Sequence, residues 1–385
     1  METKEKNDKS KSTLEILPPE LIQRILLRVP VRHLARLRCV SKLWCSLISD
    51  PNFAEFHFHH SSASTNSCFF IKYSSMVHFV YFDDNDASQK EMCPPFNNEP
   101  LPNFAVLGSC RGIIVLHRHP HSFVVWNPLT GFSKRISYSH LLPSRKYHGI
   151  RLPSLHGFGY DASQDDYLLL VAWNHWERQY NLDCLSLRTN SWINLDAALS
   201  KPLGVFDRFS CGLFLNGAIH WLSFALTTYK DAILIFDMKE RTFSMMSAPE
   251  QLVMISCNFS GLALLGGCLA LYYQNLHSCN TDIWVMKEYK VHSSWNLYQI
   301  PCKDFQPLCL SSNGDIIGRG CSWYDKVGYF IYNVREDLLN RFENLCCPNP
   351  NRATVTVHTE SLLPLPSDVE DKKKEEGGNR PSESE

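Results

Sequence analysis

The chain has 385 residues, of which 44% are hydrophobic, and its 38 basic residues nearly balance its 39 acidic residues. This length allows one large folded domain and a small one. The near-zero net charge argues against a dedicated nucleic-acid binder and against a membrane-surface protein. The longest nearly uncharged apolar stretch, residues 261–273, is shorter than the roughly 20 residues of a membrane helix.

The N-terminus and the cysteines bear on the cellular compartment. The first 12 residues are polar and lysine-rich, which is not typical of a secretory signal. The fifteen cysteines are scattered, and no Cys-x-x-Cys pair occurs. We therefore expect reduced thiols, no metal site and no cofactor in a protein of the cytoplasm, the nucleus or both.

Residues 1–13 are predicted to be disordered, and residues 14–58 to form three short helices. Proline at the first helical position loses no hydrogen bond, so Pro19 suits the start of the first helix. Pro30 ends that helix, because it cannot donate a hydrogen bond. A second short helix follows, and Ser41 caps a third, which the Asp50-Pro51 pair is predicted to close.

The helical segment carries more apolar residues than its own small core can use. The surplus predicts that a second face is covered by another protein. No acidic residue lies between Leu21 and Ser49, which favours an acidic partner. The basic residues of this stretch are Arg24, Arg28, Arg32, Arg36, Arg38 and Lys42.

The order and spacing of these residues resemble an F-box. The pattern comprises Leu17-Pro18-x-Glu20, Ile25-Leu26, Val29-Pro30, Leu34, Arg38-Cys39-Val40-Ser41-Lys42-x-Trp44 and Leu47-Ile48. The resemblance implies binding to a Skp-type adaptor, which links to cullin and RING subunits. It implies an apolar interface centre at Leu17, Pro18, Ile25, Leu26, Val40 and Trp44, with Glu20 and Lys42 nearer the rim. The alternative is an unrelated small helical bundle.

Residues 59–67 are a predicted linker, and residues 68–365 have the texture of many short strands. Apolar strands recur, each followed by a polar turn and a strand opened by an aromatic residue. Four such aromatics, Phe132, Trp192, Phe243 and Trp295, are 60, 51 and 52 residues apart. Kelch-type propeller blades have a period of roughly 50 residues. The spacing predicts a mainly β chain with a propeller-like domain of six blades, or alternatively seven.

Several strings in this region resemble the F-box-associated domain of plant F-box proteins. They are Gly108-Ser109-Cys110-x-Gly112, Trp126-Asn127-Pro128-x-Thr130, Gly157-Phe158-Gly159-Tyr160-Asp161, Leu215-Asn216-Gly217-x-x-His220-Trp221 and Glu360-Ser361-Leu362. The kelch double-glycine signature is largely absent, so the domain is described as propeller-like rather than kelch. The resemblance implies a non-catalytic substrate-recognition subunit of a ubiquitin ligase complex. Residues 366–385 are charged, nearly free of apolar residues, and predicted to be disordered.

Two stretches are longer than a turn requires. Residues 137–153 include Arg145 and His148, and residues 173–180 include Trp173, Trp176, Arg178 and Tyr180. Aromatic residues and arginine dominate binding hot spots, so these six residues are candidates for target recognition. Alternatively, the two tryptophans simply cover a blade.

One histidine-rich string could in principle bind a metal ion. His117, His119 and His121 alternate and would share a strand face, but Pro120 argues against a regular central strand, so a solvated loop is favoured over a metal site. The rival functions are a propeller enzyme, such as an oxidase or glycosidase, and a nucleic-acid-binding propeller. In both rivals the helical N-terminus would be incidental. No catalytic constellation is apparent in the sequence.

Overall fold

The computed structural model describes residues 18–60, 67–71, 77–82, 86–95, 104–118, 122–138, 155–174, 180–195, 210–222, 233–250, 260–275, 277–321, 327–343, 345, 347 and 355–365. Within these residues the chain begins with helices and continues as β-strands, as the sequence predicts. The helices are α1 (Pro19–Leu26), α2 (Val31–Leu37), α3 (Lys42–Ile48) and α4 (Pro51–His60).

The fourth helix corrects the prediction of three. The Asp50-Pro51 pair begins α4 instead of closing the helical segment. Asp50 caps the helix, because its Oδ1 accepts a hydrogen bond from the Phe53 amide at 3.0 Å, and Pro51 occupies the first helical position. The helix runs through His60, so it also covers the first two residues of the predicted linker. Residues 61–66 lie outside the described residues.

The helices pack around a small apolar core. Ile22 and Leu26 lie four residues apart on α1 and are both buried, as are Leu34, Ile48 and Phe53. Trp44 is half-buried against the same cluster. This spacing is that of an amphipathic helix with one face turned inward.

The strands of the described residues form six sheets. The first sheet contains β1 (Ser67–Ile71), β2 (Val77–Phe82) and β3 (Ala87–Met92), and the second contains β4 (Phe104–Cys110), β5 (Ile113–Arg118), β6 (Ser122–Trp126) and β7 (Ser133–Ser137). The third contains β8 (Leu155–Asp161), β9 (Asp166–Asn174), β10 (Tyr180–Ser186), β11 (Ser191–Asn194) and β12 (Ser210–Cys211). The fourth contains β13 (Leu213–Leu215), β14 (Ala218–Leu222), β15 (Ile233–Asp237) and β16 (Thr242–Met246).

The last two sheets repeat the four-stranded pattern. The fifth contains β17 (Ser260–Leu265), β18 (Cys268–Gln274), β19 (Thr281–Met286) and β20 (Trp295–Ile300), and the sixth contains β21 (Lys303–Leu310), β22 (Ile316–Cys321), β23 (Val327–Asn333) and β24 (Leu338–Arg341). A final strand, β25 (Val355–Val357), pairs antiparallel with β1 and becomes the fourth strand of the first sheet.

The sheets are arranged as a ring. The first strands β4, β8, β13, β17 and β21 contact one another in chain order, and β25 contacts both β21 and β4. The C-terminal strand therefore occupies the inner position of the first sheet and closes the ring. This confirms the mainly β, propeller-like fold class. The total blade count of six stays a prediction.

Tight turns join the first and second strands of several sheets. Asn216 and Gly217 connect β13 to β14, and Gly266 and Gly267 connect β17 to β18, all four with positive φ. Two-residue hairpin turns of this type need positive φ at both positions, which glycine and asparagine tolerate best. The turn at Gly266-Gly267 divides the apolar stretch of residues 261–273 between the two strands β17 and β18.

Antiparallel strand order gives the propeller two distinct faces. Turns between the first and second strands, and between the third and fourth, emerge on one face; the other connections emerge on the opposite face. The turn residue Arg111, between β4 and β5, pairs with Glu55 on α4, and Leu129, between β6 and β7, packs against the apolar cluster that contains the helical core. We call this side of the propeller the helix face.

Candidate functional site

The helical segment presents apolar side chains to solvent as well as to its core. Of the eleven large apolar side chains that are exposed in the described residues, five lie in this short segment. They are Leu21, Ile25, Val40, Leu43 and Phe56. Leu21 and Ile25 lie one turn apart on α1, on a different face from the buried pair Ile22 and Leu26. Exposed apolar side chains in this number are typical of a surface that another protein covers.

The same helical segment also carries exposed cations. Arg24, Arg28, Arg36 and Lys42 are exposed, whereas Glu20 is the exposed acidic residue at the start of α1. No other acidic residue occurs before Asp50 in the described part of the helical segment. A surface with this charge attracts an acidic partner and speeds the encounter with it.

The residues predicted at the adaptor interface divide into three groups. Pro18, Glu20, Ile25, Val40 and Lys42 are exposed, which makes them accessible to a partner. Leu26 is fully buried, so it supports the exposed surface from beneath instead of forming part of it. Trp44 is half-buried and packs against the helical core. Leu17 lies outside the described residues.

The predicted target-binding residues fall mostly beyond the described part of the chain. Arg145, His148, Trp176 and Arg178 lie outside it. Of Trp173 and Tyr180 only the backbone is described, where β9 ends and β10 begins, with Tyr180 paired to Asn174 and Trp173 to Asn181. These strand ends lie on the face opposite the helix face, because the turn between β8 and β9, at residues 162–165, emerges on the helix face.

Arg111 joins helix α4 to two sheets of the propeller. Its guanidinium donates hydrogen bonds to both carboxylate oxygens of Glu55 on α4. The Arg111 Cζ lies 3.9 Å from the centre of the Tyr160 ring at the end of β8, and 5.0 Å from the centre of the Phe58 ring on α4. A planar guanidinium can pair with a carboxylate along its edge while its faces lie against aromatic rings.

Arg32 forms a second connection, from helix α2. Its Nε donates to Glu360 Oε2 at 2.5 Å, and its Cζ lies 3.6 Å from the centre of the Tyr81 ring on β2. Burial raises the pKa of Tyr81 to about 12, and the neighbouring Glu360 carboxylate adds to the effect. Because Arg32 is about half exposed, this ion pair contributes less than about 1 kcal/mol to stability. Its main consequence is to fix the relative orientation of α2 and the propeller.

Residues 358–365, which follow the ring-closing strand β25, run between the propeller and the helices. His358 hydrogen-bonds Ser109 at 3.0 Å, and Leu365 packs in the core between the second and third sheets. Between them, Leu362 and Leu363 are buried in the apolar core of the helical segment. Burying two leucine side chains stabilises the contact by roughly 3–6 kcal/mol before entropy is subtracted.

The contact between residues 358–365 and the helices was not predicted from the sequence. The Glu360-Ser361-Leu362 string was visible as a resemblance, but its position against the helices was not. The available signal was the isolated apolar run at residues 362–365, just before a charged tail. No sequence pattern indicated that Arg111 and Glu55 pair, because they lie 56 residues apart in different predicted domains.

Other candidate chemistry is accounted for by packing. The predicted solvated loop is wrong for His117, which is buried on β5 with its Nε2 2.6 Å from the Tyr138 hydroxyl; His119 and His121 lie outside the described residues. Within the described chain, no group of three or more His, Cys, Asp or Glu side chains is arranged to hold a metal ion. Among the helices described, none has the length and apolar character needed to cross a membrane.

A short helical bundle fixed to one face of a β-propeller is the architecture expected of an F-box protein with a propeller domain. Residues 14–56 match the F-box domain, and residues 57–361 match the F-box associated beta propeller domain. Because the second match spans well over half of the chain, this chain belongs to the F-box associated beta propeller domain family. It is a plant-type F-box protein.

The chain is similar to several proteins of Arabidopsis thaliana. It is 28% identical over 321 residues to F-box/kelch-repeat protein At3g23880, covering 77% of this chain and 83% of that protein. It is 27% identical over 301 residues to F-box protein CPR1, covering 72% and 71%. Among solved structures, TolB from Acinetobacter baumannii aligns with a TM-score of 0.43 at 9% identity, covering 75% of this chain and 68% of that one.

The two matched domains set the general role. An F-box domain implies binding to a Skp-type adaptor within a multi-subunit ubiquitin ligase. Proteins of this family are typically non-catalytic substrate adaptors. The matches and the relatives support a substrate-recognition role for this chain.

Proposed function

We propose that this chain is the non-catalytic receptor subunit of an SCF-type (Skp-cullin-F-box) ubiquitin ligase. Its helical segment binds the Skp-type adaptor, and its propeller binds a target protein. The transfer chemistry belongs to other subunits. The receptor contributes proximity, because it holds a target lysine near the charged carrier enzyme. We propose that it acts in the cytoplasm, the nucleus or both.

The exposed apolar surface of the helical segment carries this proposal. Ile25 is 52% exposed and Val40 is 54% exposed, although both belong to the F-box pattern. Neither is needed for the helical core, which Ile22, Leu26 and Leu34 fill. A pattern that specifies apolar residues at exposed positions is explained by a partner that covers them.

The target is proposed to bind on the face opposite the helix face. The candidate residues there are Arg145, His148, Trp173, Trp176, Arg178 and Tyr180. Support comes from the described ends of β7, β8, β9 and β10, which flank both stretches at that face. Loops carried by a rigid scaffold commonly recognise partners. Adaptor and target would then occupy opposite sides of the receptor and would not compete for space.

The adaptor interface is tested by the substitution Ile25→Ala. An exposed side chain at an interface centre contributes binding energy without supporting the fold. We expect the adaptor to bind about tenfold more weakly, which corresponds to about 1.4 kcal/mol. The measurement is calorimetric titration of the purified Skp-type adaptor into the full chain. Trp44→Ala is a less direct test, because Trp44 also packs against the helical core.

A matched control is available on the propeller. The exposed fraction of Leu338, 48%, is similar to that of Ile25. Leu338 lies on β24, the outer strand of the sixth sheet. Leu338→Ala should leave adaptor affinity unchanged. Equal affinities for the wild type and the Ile25→Ala chain, with unchanged circular dichroism, would contradict the proposed interface. Absence of adaptor binding by the wild-type chain would contradict the proposed function.

A further inference from the structure

Three of the strings named in the sequence analysis converge at one place, although the third is far from the other two in sequence. They are Gly108-Ser109-Cys110-x-Gly112, Trp126-Asn127-Pro128-x-Thr130 and Glu360-Ser361-Leu362. The first two supply turns on the helix face of the second sheet, and the third lies across those turns beneath the helices. Recognition of an adaptor or a target does not by itself explain this convergence.

Asn127 is the centre of the convergence. It is fully buried, and its Nδ2 donates to the carbonyl oxygens of Ser361 at 3.1 Å and Leu363 at 3.0 Å. Its Oδ1 accepts hydrogen bonds from the amides of Leu129 and Thr130, which shapes the turn between β6 and β7. One side chain therefore builds a propeller turn and holds the backbone of residues 361–363.

The turn between β4 and β5 holds the same segment from another side. The Ser361 hydroxyl donates to the Arg111 carbonyl oxygen at 2.7 Å. Gly112, with φ +84°, lies so close that a Cβ there would overlap Ser361 Oγ. The Arg111 side chain meanwhile pairs with Glu55 on α4. Backbone and side chain of one turn residue thus bind two different elements.

The segment is also part of the helical core. Leu362 and Leu363 are buried among the side chains that define the F-box fold, including Ile22, Leu26 and Ile48. Helices of seven to ten residues are marginal by themselves, and so small a bundle buries little surface. Two additional leucines from the far end of the chain are a substantial share of such a core.

We propose that residues 358–365 complete the F-box of this chain, so that the adaptor surface forms fully only when the propeller ring has closed. The segment follows β25 directly, and β25 closes the ring by pairing with β1. Closure therefore brings Leu362 and Leu363 to the helices, while Arg32 and Arg111 set the angle between helices and propeller. A receptor whose propeller is incomplete would bind the adaptor poorly and would not occupy the ligase.

The test uses Asn127→Asp in the full chain. The aspartate retains the oxygen that accepts from the turn amides, as the native Asp237 does at the equivalent turn of the fourth sheet. It loses both hydrogen bonds donated to residues 361 and 363 and faces their carbonyl oxygens with a carboxylate. The matched control is Asn333→Asp, because Asn333 accepts from the amides of Arg335 and Glu336 in the equivalent turn of the sixth sheet, which contributes no residue to the helical core.

Hydrogen exchange and adaptor titration are measured together on the full chain. The expected result for Asn127→Asp is exchange at least tenfold faster in residues 358–365 and in α1 to α4, with the fifth and sixth sheets unchanged. Adaptor binding should weaken at least tenfold, and Asn333→Asp should change neither quantity. If the segment exchanges faster while the helices and the adaptor affinity stay as in the wild type, the F-box is independent and the proposal is overturned.

A second variant and the independence of the two measurements complete the test. If Asn127→Asp fails to fold, Leu362→Ala is measured in the same way, because it removes core contacts and leaves both turns intact. The adaptor readout rests on the proposed function, whereas the exchange readout does not. A wild-type chain that does not bind the adaptor contradicts the proposed function only, and the exchange of α1 to α4 then decides this inference.

Discussion

At the residue scale, His220 of the Leu215-Asn216-Gly217-x-x-His220-Trp221 string is a buried structural residue. It is fully buried on β14, with Nδ1 3.2 Å from the Leu213 carbonyl oxygen and Nε2 2.8 Å from the Tyr289 hydroxyl. Burial lowers the pKa of His220 to about 4, because the charged imidazolium is poorly solvated there. The histidine therefore stays neutral in the folded chain at pH 7.

This lowered pKa predicts acid sensitivity. Between the unfolded pKa of about 6.5 and the folded pKa of about 4, the unfolded chain binds more protons than the folded one. The free energy of unfolding should therefore fall as the pH is lowered through this window. At pH 5 the contribution of His220 is on the order of 1–2 kcal/mol relative to pH 7. Urea denaturation at both pH values measures it.

His220→Gln is the control for this prediction. Glutamine keeps hydrogen-bonding groups in the cavity but does not titrate. The variant should lose less stability than the wild type between pH 7 and pH 5, whatever its stability at pH 7. Equal losses in the two chains would show that His220 does not contribute to the acid sensitivity.

At the scale of elements, α4 shows how one dipeptide can end or begin a helix. Asp-Pro follows an apolar stripe and was predicted to close the helical segment. In the structure, α3 ends at Ile48, and Asp50 starts the next helix two residues later. Aspartate at the cap and proline at the first position also make a strong start signal. Helix α4 then provides Glu55 and Phe58 for the contact with Arg111.

Removing the cap should destabilise α4. Asp50→Ala deletes the acceptor for the Phe53 amide and should cost about 1 kcal/mol, whereas Asp50→Asn retains an acceptor and should cost little. Exchange rates of the amides in the first turn of α4 report the effect directly. Similar exchange rates in the alanine and asparagine variants would show that the side-chain cap is not important.

At the scale of the whole molecule, the N-terminal helices meet a segment that follows the last strand. The helices lie at one end of the sequence and residues 358–365 near the other, yet they share a core. Long-range closure of this kind costs loop entropy that only the completed ring offsets. The chain is therefore expected to fold with its propeller and its helices coupled.

Two truncations separate the tail from the closing segment. A chain ending at Leu365 lacks only the charged, apolar-poor residues 366–385, and it should keep the wild-type thermal midpoint and adaptor affinity. A chain ending at Val357 keeps β25 but lacks residues 358–365, and its thermal midpoint should fall by several degrees. A decrease of similar size for the chain ending at Leu365 would show that the tail is part of the folded protein.

Local signals explain what was predictable. The F-box pattern, the hairpin turns at Asn216-Gly217 and Gly266-Gly267, and the blade-like spacing of Trp192, Phe243 and Trp295 all depend on residues close in sequence. The surplus of apolar residues in the helical segment also predicted a second apolar face besides the one that forms the core. The pattern does not say which face of α1 turns inward, so it did not show that Leu26 is buried in the helical core, and its role at the adaptor interface stays a prediction.

By itself, the amino-acid sequence determined the family, the two-part build of helices and strands, and the exposed apolar face of the helices. These depend on composition, periodicity and short-range turn chemistry, which act between neighbouring residues. Only the tertiary structure decided that β25 closes the ring, that Asn127 holds residues 361–363, and that Leu362 and Leu363 fill the helical core. The physical reason is that these contacts join residues more than two hundred positions apart, and no local pattern specifies which distant partners will meet.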